Sequence, residues 1–147
     1  MQRCMLIWRM NRTDLQLLAE DRLADAEVLL ANGRFGAAYY LAGYAVECAL
    51  KACIAKLTKA EDFPIKNSTS TVYIHDLKKL ATVAAVDVTI TQLAKGDQAF
   101  GDNWDVVTHW SEESRYDRAV DQRLAELMVD AVANARSGVL QCIKQYW

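Results

Sequence analysis

Apolar residues recur at 15, 19, 23, 26 and 30 among charged and polar neighbours, a three-to-four-residue spacing that lines them up on one face of a helix. Thr13 supplies an N-cap ahead of this run and Asn32-Gly33 a stop behind it. From Arg34 to about Leu57 the pattern changes: the chain is apolar nearly all round, with Tyr39, Tyr40 and Tyr44 set among alanines and glycines. That predicts a second helix buried at the centre of a bundle. Its longest uncharged stretch, FGAAYYLAGYAV (35–46), ends at Glu47 and is too short for a membrane span of about 20 residues.

A polar run with the only proline, EDFPIKNSTST (61–71), reads as a loop. HDLKKLATVA then resumes helical spacing, with His75-Asp76 at its start and Leu77, Leu80 and Val83 or Ala84 on one face. Asp87 opens a further turn or two ending near Gly96, and AFGDNWDVVTHW predicts a short helix from about Asp102 with Val106, Val107 and Trp110 inward. Val120, Leu124, Leu127, Ala131, Ala135, Cys142 and Tyr146 continue the period after Asp117. They predict one final helix of about 28 residues, roughly 40 Å long. Its closing rings, Tyr146 and Trp147, suggest docking against a second chain.

Composition fits this reading: 52% of the 147 residues are apolar, and glycine and proline together number seven. An all-α domain is expected over 13–147, with 1–12 as an N-terminal extension. Met10 stands directly before the helix start, so residues 1–9 read as a loose segment or the product of an early start codon. The four cysteines, at 4, 48, 53 and 142, form no Cys-x-x-Cys pair, and there are only two histidines. Neither a metal site nor a disulfide framework follows, and no cofactor is implied; the thiols read as core residues of a cytoplasmic protein. The uncharged run CMLIW is shorter than the apolar region of a signal peptide.

Charge narrows the range of partners. The net charge is −2, yet residues 97–130 carry nine acids against three arginines. Such a surface repels a phosphate backbone and suits a basic protein partner. RNA would have to use a local basic cluster or a groove between two subunits. Within this region HWSEESRYD (109–117) brings a histidine, an arginine, acids and aromatics together. It reads either as a rearranged active site or as the junction between two helices.

GRFGAAYYLAGYAVECALKACI, then HDLKKL after a polar loop, then WDVVTHWSEESRYD resembles, in order and spacing, a HEPN domain (higher eukaryotes and prokaryotes nucleotide-binding), over roughly residues 13–146. The resemblance implies an up-and-down bundle of four to five helices, a homodimer, and association with RNA or nucleotide. Members of that family include metal-independent ribonucleases, often toxins, and helical partners of small nucleotidyltransferases. The cutting members carry Arg, four to six residues, then His. Here the positions that should hold the arginine before His109 are Asp102, Asn103 and Trp104, and those before His75 are Ser68, Thr69 and Ser70.

A non-catalytic nucleotide- or RNA-associated module is therefore expected, acting beside a nucleotidyltransferase or within a toxin–antitoxin or defence system. The enzymatic alternative uses His109 as general acid or base and Arg115 to hold phosphate charge. A third reading is a structural partner of a basic protein. Candidate ligand-binding residues are Glu47, Lys51, His109, Arg115 and Tyr116. Glu47 and Lys51 stand i, i+4 in the favourable order, and a carboxylate among apolar neighbours needs a partner: Lys51, the Arg115-Tyr116 loop or a tyrosine. His75-Asp76 is read as a helix cap or a phosphate contact. Tyr39, Tyr40, Tyr44, Trp104 and Trp110 are read as core filling rather than a stacking platform.

Overall fold

A computed structural model describes residues 10–58 and 74–147; residues 1–9 and the predicted loop at 61–71 lie outside them. The described chain is all-α, as expected. Five helices have ten residues or more: α1 (Arg12–Ala31), α2 (Phe35–Leu57), α4 (Asp87–Gly96), α5 (Gln98–Thr108) and α6 (Gln122–Ala133). Two shorter ones, α3 (Leu77–Val83) and α7 (Val139–Ile143), and a 3-10 helix at Glu112–Tyr116 complete the described elements.

The first two helices form the frame. A capping box opens α1, with Asn11 accepting from the Asp14 amide at 2.8 Å and Asp14 accepting from the Asn11 amide at 3.2 Å. The cap is thus Asn11, and Thr13 lies within the first turn of the helix. At the other end Gly33 takes φ +74°, and the amides of Gly33 and Arg34 return to the carbonyls of Leu30 and Leu29. This Schellman closure turns the chain straight into α2. Ala38, Ala42, Ala45, Ala49 and Ala52 of α2 are fully buried. Small side chains let α1, α3, α6, α7 and the 3-10 helix all pack against this one helix.

Boundaries differ from expectation where a polar side chain captures a backbone amide. Asp97 caps α5 by accepting from Phe100, so that helix starts at Gln98 rather than near Asp102. The predicted 28-residue helix is two. It begins after Asp121, which accepts from the Leu124 amide at 2.8 Å, while Asp117 instead takes the amide of Ala119. It breaks at Asn134, whose side chain accepts from the amides of Arg136 and Ser137, both at 3.0 Å. The turn is anchored to α5 by Asn103, which donates to the Ser137 carbonyl, and by Asp97, which accepts from the Ser137 hydroxyl.

Tyr146 and Trp147 are half-buried against the core of their own chain. Trp147 packs against Leu15, Ala52 and Ala55, Lys144 lies 5.6 Å from its ring centroid, and its carbonyl accepts from Arg12 at 2.7 Å. Among the described residues no helix is long and apolar enough to cross a membrane.

Cys48, Cys53 and Cys142 are buried and free. Burial pushes their thiols up to about 12, 11 and 11 respectively. Thiolate is the reactive form, so these three thiols should resist a maleimide in the native protein and react once it is unfolded. Mass spectrometry of tryptic peptides checks this; labelling of any of the three under native conditions contradicts the packing described.

Candidate functional site

Glu47 is the one buried charged residue among the described positions, 1% exposed in the middle of α2. A lone carboxylate in that position is costly unless charge and hydrogen bonds compensate it. Lys51, one turn on, donates to its Oε1 at 2.7 Å, as the i, i+4 spacing predicts. The second partner is His75, whose Nδ1 lies 2.8 Å from the same oxygen. His75 reaches further: its Nε2 is 2.8 Å from Oε2 of Glu112 in the 3-10 helix. The imidazole thus stands between a buried carboxylate and a half-exposed one.

Sequence spacing points neither to His75 as a partner of Glu47 nor to Glu112 as a partner of His75. The signal was there in part, since a carboxylate set among apolar residues demands a counter-group. His75 looked like part of a helix cap, and Asp76 alone does that work, accepting from the Lys79 amide at 3.1 Å. The Arg115-Tyr116 loop, named as a source of the partner, does not supply it.

The 3-10 helix and its flanks form a strap across α2. Trp110 sits on Gly43 so closely that a Cβ there would come within 2.3 Å of the indole. The indole N–H donates to the Tyr40 carbonyl at 3.2 Å, and its ring lies 5.8 Å from that of Tyr40, which stacks in turn on Tyr44 at 6.0 Å. Farther along the strap, the Asp117 backbone passes over Gly36. Burial raises Tyr39 and Tyr44 above the usual phenol range; Asp117 adds to the first effect, and Cys48 and Glu47 to the second. The tyrosines and Trp110 are therefore largely packing groups, as the sequence suggested.

Arg115 and Tyr116 face outward. The guanidinium carbon is 4.8 Å from the centroid of the Tyr116 ring, and Tyr116 is 72% exposed. A hydrogen bond with Tyr116 first, then the neighbouring Tyr40 and Glu112, raises Arg115 further above its already high value. His109 ends α5, with Nδ1 2.7 Å from the carbonyl of Asp105. It lines a cavity of about 260 Å³ with Tyr39, Ser111, Ser114 and Asp117, which Arg115 does not line. The five candidates therefore divide into three groups: the Glu47–Lys51 pair inside, the Arg115–Tyr116 pair outside, and His109 at a helix end.

A cavity of about 410 Å³ lies between His75, Asp76 and Lys78 on one side and Thr108, Trp110 and Glu112 on the other. Among the described residues, no group of three or more His, Cys, Asp and Glu side chains is placed to hold a metal ion.

Three variants test this packing. Lys51→Ala takes one of two partners from the buried Glu47 carboxylate and leaves His75, so it should destabilise by about 1–3 kcal/mol in urea unfolding, while the double change Glu47→Leu with Lys51→Leu should cost less. A loss below about 1 kcal/mol for Lys51→Ala contradicts the pairing. Gly43→Ala should cost about 1–3 kcal/mol by overpacking and red-shift the tryptophan emission as Trp110 is displaced; unchanged emission and stability contradict the seat.

The sequence model of one family, described as HEPN domain, matches residues 14–145. No curated protein and no solved structure matches the chain.

Proposed function

The chain belongs to the HEPN domain family, and we propose that it is a non-catalytic module that binds nucleotide or single-stranded RNA through the Arg115–Tyr116 pair. The observation that carries the reading is this pair's geometry: a permanent cation beside an aromatic ring that is 72% exposed. A base stacks on an open ring of this kind, and a neighbouring guanidinium meets the phosphate. Two further arginines support it. Arg118 and Arg34 line a cavity of about 370 Å³ at the start of α2, whose first turn has no side-chain cap. Asp117 lines the same cavity.

Two features support binding without cleavage. His109 is engaged with the carbonyl of Asp105 and lines a cavity that Arg115 does not, Arg115 being turned to Tyr116 and Tyr40, which separates the pair that metal-independent transesterification requires. His75, the other histidine, lies between two carboxylates. We further propose that the module works as a homodimer beside a small nucleotidyltransferase, in a toxin–antitoxin or defence setting; this part rests on the family alone.

Fluorescence anisotropy with a short labelled single-stranded RNA tests the reading. Tyr116→Ala should weaken binding by about 1–3 kcal/mol, the usual worth of one stacked base. Arg115→Ala should lower the salt dependence by about one phosphate contact. Absence of binding by the folded wild type overturns the proposal. Metal-free cleavage that is lost in both His109→Ala and Arg115→Ala would replace it with the ribonuclease reading.

A further inference from the structure

The residue that joins the buried carboxylate to the strap touches none of the groups assigned above to ligand. Its two ring nitrogens lie 2.8 Å from Glu47 Oε1 and 2.8 Å from Glu112 Oε2. Glu112 opens the same five-residue 3-10 helix in which Arg115 and Tyr116 are the last two positions. No side chain caps that helix at its N-terminus, and none of its residues is buried. Just ahead of it the Trp110 indole is seated on α2, and at Glu112 itself the side-chain tie to α2 runs through His75.

We propose that His75 is a positioning residue: by bridging Glu47 and Glu112 it fixes the 3-10 helix on α2 and so sets the Arg115–Tyr116 pair for its ligand. The proposal rests on the binding reading given above for that pair. The donor inventory gives it a distinctive property. Both neighbours are carboxylates, which only accept, so both bridges form together only when each ring nitrogen carries a hydrogen. A ring with one hydrogen keeps one bridge and loses the other. Glu47 is inside and also held by Lys51, while Glu112 is half-exposed, so the bridge released is the outer one. The other charged groups around the ring, Asp76 and Lys78 from the α3 side and Glu113 beside Glu112, line the cavity next to it without a hydrogen bond to it.

The bridge is therefore closed while the ring carries both hydrogens and opens on the Glu112 side when it carries one. His75→Ala would leave Glu47 short of a partner and unfold part of the protein, so the informative variant is Glu112→Gln, made at a half-exposed position. Two readouts are needed on the full chain. In NMR, the amide signals of residues 112–117 should follow the titration of the His75 ring in wild type and cease to follow it in Glu112→Gln. In anisotropy with the labelled RNA, wild-type affinity should fall on the order of three- to tenfold more from acid to alkaline pH than that of Glu112→Gln, the size expected for one hydrogen bond.

Amide signals that ignore the His75 titration, or equal pH profiles for both proteins, overturn the proposal. If the amides follow His75 but no RNA binds at any pH, the bridge stands and the ligand reading falls, taking with it the positioning role.

Discussion

A carboxylate sealed inside the most apolar helix constrains much of what surrounds it. Glu47 could be replaced by an apolar residue without loss of helix propensity or packing volume, and buried ion pairs are in general poor sources of stability compared with such replacements. Its presence obliges the fold to bring Lys51 and His75 to one oxygen. His75 in turn fixes the start of α3 against α2 and reaches Glu112 beyond it. One buried charge thereby draws together three segments far apart in sequence, at a point where alanine-rich packing alone would be indifferent to register.

The strap that crosses α2 is held by this arrangement at Glu112 and, two residues earlier, by shape at Trp110. Gly43 leaves room for the Trp110 indole, and the indole N–H finds the Tyr40 carbonyl, so a large ring is buried with its polar atom satisfied. The short 3-10 turn, Glu112–Tyr116, starts at the Glu112 anchor, two residues after Trp110. That turn is what presents Arg115 and Tyr116 to solvent. A packing constraint in the core thus determines which side chains of an otherwise acidic surface are available to an anionic ligand.

Much of the fold was legible in the sequence because its signals are local. The apolar period of α1, the Asn32-Gly33 stop, the nearly all-round apolarity of α2 and the Asp76 start of α3 each arise from neighbours within a turn or two. The failures share one cause. Asn134 and Asp97 look neutral in a periodic pattern, yet one breaks the last helix by capturing two amides and the other starts α5 early. The pattern of apolar residues runs through the Asn134 turn because α7 continues to face the core after it.

The site was less legible for a related reason. Glu47–Lys51 is a one-turn pair and could be read directly, whereas the His75 bridge joins positions 28 residues and more apart and has no spacing to betray it. His109 and Arg115 are close in sequence, yet the fold assigns them different surroundings. Whether the strap is a ligand surface is tested most directly by titrating AMP and then a short single-stranded RNA into isotope-labelled protein while following backbone and arginine side-chain NMR signals. The account predicts that the largest shifts fall on Arg115, Tyr116 and Arg118, with the Asp97–Asp105 face unchanged; shifts centred elsewhere, or none at all with RNA in excess, would contradict it.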